Sequence, residues 1–432
     1  MKALLLAAAA FVAAPAAAQT VAITGGTVAL GDGSQPIPNG TVVFAGGRIV
    51  AAGAGVAVPA GATVVDARGK WVTPGLVTGP NDLGLLDADG VEESNDLSAR
   101  TSPFNAGIDV AAAINPDSIA IGNERLGGVT RALVAPGAAG SIFAGQGAVI
   151  DLGADPDPVT RARAFQYVEL GEAGGRIAGG SRPAAYAALR DALAQARDYR
   201  RDPAAFDGRS RDALVKRADV QGLLDVLDGK TPLLVHVERA SDIRAVLALP
   251  RTYPGMKLVL VGATEAWMVA PEIAAARVPV IAAALADLPA SFEQVAATES
   301  NVGRLTRAGV VTAISTIGAN DAPGEHIIKQ YAGNLVAIAK VPGSVGLDWG
   351  QAFAAITSRP AEVLGMGGEI GSLRPGRRAD VVVWSGDPLE LASAPQAIWI
   401  DGRAQPTQSR QTRLRDRYLT PGEAALPKAY SY

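Results

Sequence analysis

The chain has 432 residues, 48% of them hydrophobic and 19% charged, with 50 glycines and no cysteine. Its 39 lysines and arginines against 42 aspartates and glutamates give a formal charge of −3, which argues against nucleic acid as a partner. The lack of cysteine excludes disulfides and thiolate chemistry, and the length suits one large α/β domain, alone or with a smaller satellite.

Residues 1–18, "MKALLLAAAAFVAAPAAA", read as a signal peptide, with Lys2, an apolar stretch to Val12 and a small-residue cleavage pattern at Ala16-Ala17-Ala18. The apolar run is shorter than the ~20 residues a bilayer span requires. Nothing downstream is longer and equally apolar. The expectation is a periplasmic or secreted protein with no membrane partner after cleavage.

Residues 20–73 alternate Val and Ile with small or polar residues and break at Gly25-Gly26, Pro38-Asn39-Gly40 and Gly46-Gly47, which is strand-and-turn chemistry. The same texture returns in "GSLRPGRRADVVVWSGDPL" and "APQAIWIDGR". Two β-rich ends around a long middle predict a small β-sandwich domain assembled from both termini, over residues 19–75 and 369–405. Residues 406–432 form a tail, where "RQTRLRDRYLTPGE" reads as a helix packed on the rest of the protein or at a subunit contact.

Between residues 76 and 368 the period changes. "GVTRALVAP" (128–136) is a strand running into a glycine-rich loop, "AAGSIFAGQGAVIDLG", and 182–199 and 211–227 are amphipathic helices. Then "PLLVHVE", "KLVLVGA", "VPVIAAAL" and "VVTAIST" each precede a helix, with Ser210 and Ser291 as expected N-caps of two of the helices. Nearly all-apolar strands alternating with helices imply a parallel sheet covered on both faces, and the length fits a (β/α)8 TIM barrel better than a doubly wound sheet. The glycine-rich loop lacks the Lys and Ser spacing of a phosphate loop. Its expected role is to bring backbone close to the pocket, with Gln146 offering a polar contact. The acidic stretch "NDLGLLDADGVEESND" has the wrong ligand spacing for calcium and reads as a solvated loop over the barrel mouth.

The stretch from "VAITGGTVALGDG" to "DARGKWVTPGL" and the closing "AFAAITSRPAEVLGMGGEIGSLRPGRRADVVVWSGDPLEL" resemble the two ends of amidohydrolase-superfamily proteins, especially the imidazolonepropionase-like branch. That resemblance implies a barrel with one or two divalent ions, commonly zinc, at the carboxyl ends of its strands. There a metal-bound hydroxide attacks an amide-like carbon. The implied ligands are His-x-His on the first strand, a histidine on each of two later strands, and an aspartate on the last strand that moves the proton. After Pro74-Gly75-Leu76 this chain has Pro80 and Asp82 in place of the paired histidines. His236 falls at a later histidine position, and Gly262 or Ala263 replaces the next. Counting from Ala308-Gly309 puts the catalytic aspartate's slot at Ile317; a few extra residues bring Asp321 there instead.

The whole chain holds two histidines, His236 and His326, and a family-type binuclear site wants four. His326 is expected on a solvent-facing helix, and Asp321 reads as that helix's N-cap as readily as a proton carrier. The expected pocket lining is Asp82, Gln146, Glu238, Arg239 and Glu265, with Glu238, Arg239 and Asp242 as a charge-paired cluster and His236 as a vestigial metal ligand. The leading expectation is a protein that has lost the hydrolytic metal centre. It would bind a small molecule in the barrel mouth, or act as the non-catalytic partner of an active homologue in a homo- or hetero-oligomer. The alternative is an active hydrolase of C–N bonds, in a cyclic amide or dipeptide-like substrate, using a single ion such as zinc on His236, Asp82, Glu265 and Asp321. A third is metal-free, with Glu238, Glu265 or Asp321 as general base.

Overall fold

A computed structural model describes residues 20–88, 90–204, 215–317 and 324–419. The expected signal peptide, the cap at Ser210 and the catalytic candidate Asp321 lie outside the described residues.

Five strands come first: β1 (Val21–Val28), β2 (Ile37–Ala45), β3 (Arg48–Gly53), β4 (Thr63–Asp66) and β5 (Trp71–Pro74). Then follow β6 (Leu76–Asn81), β7 (Val129–Val134), β8 (Phe143–Asp151), β9 (Val159–Glu169), β10 (Leu233–Val237), β11 (Leu258–Gly262), β12 (Val280–Ala283) and β13 (Thr312–Ser315). Three more, β14 (Val381–Trp384), β15 (Pro395–Ile400) and β16 (Arg403–Ala404), come last.

The two ends of the chain do meet. β5 runs antiparallel to β14, with Thr73 opposite Val382 and Trp71 opposite Trp384. The expected small β domain built from both termini is one hydrogen-bonded sheet, ordered β16-β15-β14-β5-β1-β2-β3, which forks because β4 and β5 share an edge of β1 and folds over so that β2 meets β15. Ile23, Phe44, Ile49, Val72, Val381 and Trp399 form its core, with the Phe44 and Trp399 rings edge to face at 5.8 Å.

The second sheet runs β6 to β13 in sequence order. All its strands point the same way except β8, which is antiparallel to both β7 and β9. The barrel is therefore not the strictly alternating (β/α)8 design. The segment read as a glycine-rich loop is β8 itself. A side chain at Gly147 would run into the Phe165 ring of the neighbouring strand, so this glycine serves sheet packing and not a pocket. The ladder between β13 and β6 is bridged by Ala355 and Ile356, whose carbonyls accept from Ile314 N at 3.1 Å and Val77 N at 2.9 Å.

Strand periodicity divides the side chains into two cores. Val77, Leu133, Phe165, Leu234, Val261, Ile281 and Ala313 fill the barrel, with Met366 and Ile370 packed against them. Arg161, near the start of β9, holds Glu369 at 2.8 Å, which fixes that plug at the amino-terminal end of the barrel. Leu189, Leu223, Ile243 and Leu335, on helices Arg182–Arg201, Arg217–Leu227, Ala240–Leu247 and Ile328–Ile338, pack on the outside. The open end is therefore the carboxyl-terminal one. Ser291 does not begin a helix; the next one starts at Asn301.

Arg131, on β7, joins the barrel to the terminal sheet. Its fully buried guanidinium donates to Asp380 at 2.8 and 2.9 Å and to Thr160 at 2.6 Å, and pairs with Asp401 at 2.9 Å and Asp151 at 3.5 Å.

Candidate site at the mouth of the barrel

β9 and β10 end alike, in an apolar run closed by a polar residue. On β9, Phe165 and Tyr167 face the barrel interior, and Glu169, two residues further, faces the mouth. On β10, Leu234 faces inward and so does His236, while Leu233, Val235 and Val237 pack outward.

His236 is held from both sides. Its Nδ1 lies 2.7 Å from Glu169 Oε1 and its Nε2 lies 3.0 Å from Glu238 Oε1. A carboxylate can only accept when ionised, so this arrangement favours a ring that carries a proton on both nitrogens. Burial opposes that charge, but Glu169 and Glu238 outweigh it and hold the imidazole well above its ordinary value. For Glu238, burial likewise opposes ionisation, yet the hydrogen bonds from His236 and from Thr264 N (2.8 Å) keep its carboxyl low. The adjacent Tyr167 phenol is pushed up to about 12, chiefly by burial.

Gly262 explains how the clasp fits. This residue ends β11 at φ +79°, and a Cβ there would strike Glu238 Oε1 and sit 2.8 Å from His236 Nε2. Gly262, one of the two positions where the resemblance expects the histidine after His236, has no room for a side chain while the clasp is closed.

A second group lies across the mouth. Thr316, just past β13, donates to Glu325 at 2.9 and 3.1 Å, and Asn81 at the end of β6 also hydrogen-bonds it. Burial, helped by the charges of Glu124 and Asp82, pushes the Glu325 carboxyl up to about 7. The cleft between the two groups measures about 400 Å³, and Asp82, Tyr167, Glu169, Thr316, Ile317 and Glu325 are among its lining residues.

Of the expected lining residues, Asp82 faces this cleft and Glu238 stands behind it through His236. The other three do not line it. Gln146 sits mid-strand on β8 with its amide against Gly222 on the outer helix, because strand alternation turns it away from the interior. Glu265 is consumed by backbone: its oxygens accept from Ala240 N at 3.0 Å and Ala296 N at 3.1 Å. Arg239 is exposed at the start of a helix and does not pair with Glu238, while Asp242 faces Arg182 at 3.2 Å. Ile317 borders the cleft two residues beyond β13. His326 is not simply solvent-facing. Its Nδ1 lies 3.0 Å from the buried Glu124, which raises its affinity for a proton.

Sequence reasoning missed Glu169, Tyr167, Thr316 and Glu325. A signal for the first existed: "YVE" closes β9 as "HVE" closes β10.

The donor set decides what the site can hold. An imidazole ligates a metal only through a nitrogen lone pair, and His236 has none to give while it donates to both Glu169 and Glu238. Among the described residues no group of three or more His, Asp or Glu side chains converges in a way that could hold a metal ion. No described helix is long and apolar enough to cross a membrane.

The sequence profile of the amidohydrolase family matches residues 160–404, more than half of the chain. Amidohydrolase tasK of Hapsidospora irregularis is 26% identical over 401 residues, covering 81% of this chain and 38% of that protein. The imidazolonepropionase of Maricaulis maris is 28% identical over 206 residues, covering 47% of this chain and 46% of that protein. The chain thus spans less than half the length of either relative. Among solved structures, an amidohydrolase from Thermotoga maritima MSB8 superimposes with a TM-score of 0.77 at 24% identity, covering 89% of this chain and 99% of that one, a likeness of fold.

Proposed function

Because the chain belongs to the amidohydrolase family, we propose that it keeps the family's barrel and pocket while a protonated histidine takes the place of the hydrolytic metal. It then serves as a small-molecule-binding protein or as the non-catalytic partner of an active homologue. One observation carries the reading: both nitrogens of His236 are engaged by carboxylates, at 2.7 and 3.0 Å. The imidazolium supplies the positive charge that Glu169 and Glu238 would otherwise seek from a cation. A polar cleft of about 400 Å³ lined by Asp82, Glu169 and Glu325 suits a small ligand bearing hydrogen-bond donors or positive charge. The amino-terminal sequence pattern supports export to the periplasm or beyond, and association with a second copy or an active homologue completes the proposal.

The test is elemental analysis of protein purified without chelators, before and after incubation with zinc and removal of the excess. The expected content is below about a tenth of an equivalent in both, against one or two for a working centre of this type. Stoichiometric zinc or manganese that His236→Ala loses would overturn the reading.

One observation favours a second reading, hydrolysis of C–N bonds without metal. Glu325, pushed up to about 7, could take a proton from water near neutrality. In that case turnover of cyclic amides would survive exhaustive chelation and be abolished by Glu325→Gln. The single-ion alternative on His236, Asp82, Glu265 and Asp321 gains no such support, since Glu265 is already bonded to two backbone amides.

A further inference from the structure

Away from the barrel mouth, a groove of about 520 Å³ runs between the helix Ile119–Leu126, the loop Gly153–Pro156 and the carboxyl-terminal helix Arg410–Leu419. Two of its lining side chains are buried with a polar atom left unpartnered. Ser118 is the N-cap of the first helix, yet its hydroxyl makes no cap hydrogen bond; at 5% exposure the oxygen has no partner. Arg125, seven residues and two turns further along the same helix face, is 7% exposed. One of its terminal nitrogens donates to Leu152 O at 2.8 Å, but its Nε has no partner and no carboxylate pairs with it. Burial without a counter-charge pulls the guanidinium below its ordinary value.

The contrast with Arg131 is informative. That arginine, fully buried, is surrounded by three carboxylates. A buried guanidinium left without an anion is costly, so folds seldom keep one unless something neutralises it. The same groove receives Arg410 and Arg413, which are exposed and form no ion pair among the described residues, against the carboxylates of Asp117 and Asp155 on its walls. Three cations against two anions leave a positive excess, concentrated at the buried end by Arg125. The first amides of the helix lack intrahelical partners and add partial positive charge beside Ser118. Gly122, one turn into the helix, puts no side chain in the way.

We propose that this groove is an anion site for a phosphate-type group, with Arg125 and Ser118 holding the oxygens from below and Arg410 and Arg413 closing over them. It is separate from the barrel mouth and does not depend on what the mouth does. The groove is larger than a bare phosphate requires, so the chemistry admits either the free ion or a phosphate monoester.

The experiment is calorimetric titration of the full chain with inorganic phosphate and, separately, methyl phosphate, with ionic strength matched by sodium chloride. Saturable one-site binding is expected, weakened about tenfold or more in Arg125→Gln and in the double variant Arg410→Gln/Arg413→Gln, as the loss of a charge-assisted hydrogen bond implies. Tighter binding of the ester assigns the site to an organic phosphate, and equal or weaker binding assigns it to the free ion. The double variant touches only exposed side chains, so it decides the matter even where Arg125→Gln does not fold. No saturable heat with either probe, or binding unchanged in the double variant, overturns the site.

Discussion

Glutamine in place of Glu325 removes an acid whose carboxyl burial has raised from 4.5 to about 7. An acid that holds its proton more tightly in the folded state favours folding most when that proton is present. The wild-type protein is therefore most stable, with respect to this group, below its unfolded value of 4.5, and loses that stability as pH climbs to about 7. Each pKa unit corresponds to about 1.4 kcal/mol, so the full loss approaches ~3 kcal/mol, an upper figure because the carboxylate borders an open cleft. Glutamine keeps an oxygen to accept from Thr316 Oγ1, which lies 2.9 Å from the native carboxylate. Urea unfolding of both proteins near pH 5 and near pH 8 should show the variant gaining ~1–3 kcal/mol relative to wild type at the higher pH. A difference between the two proteins that stays the same within about 0.5 kcal/mol at both pH values would refute a raised carboxyl at Glu325.

Two further substitutions test how the molecule is held together. Arg131→Met leaves the buried Asp151 and Asp380 and the half-buried Asp401 around an uncharged side chain and should cost ~3–5 kcal/mol by urea unfolding. Adding Asp380→Asn should recover part of it, and no recovery would mean that the arginine acts by packing alone. Gly262→Ala forces a methyl toward Glu238 and His236 at φ +79° and should cost ~1–3 kcal/mol. An effect below about 0.5 kcal/mol would mean that the clasp around His236 is looser than its geometry indicates.

Much of the architecture was legible because apolar runs bounded by Gly and Pro mark strands whatever their partners. The pairing of β5 with β14 could be anticipated from matching texture at the two ends. β8 could not, because "GAAGSIFAGQGAV" has the composition of a loop, and only the Phe165 ring on the next strand reveals that Gly147 is small for packing. In the site, the shortage of histidine was a matter of counting and needed no coordinates. What surrounds His236 was hidden, since Glu169 stands 67 residues from it in sequence and a glutamate ending a strand resembles any surface glutamate. Residue type misled at Glu265 and Gln146. Both are polar, but backbone amides claim the first and strand alternation turns the second outward. Asp321 lies outside the described residues, so the choice between it and Ile317 rests on register alone.

The bridge made by Ala355 and Ile356 has a bearing on how the chain can be divided. These two carbonyls satisfy amides on strands nearly 240 positions apart, Val77 and Ile314, and the same stretch leads directly into the plug and then the terminal sheet. A fragment ending before this tie would present two raw sheet margins to any other molecule with a free strand, the circumstance that invites aggregation. Anyone seeking the barrel by itself would need to retain the polypeptide through Ile370, so the catalytic-type body and its small companion are best regarded as a single folding unit.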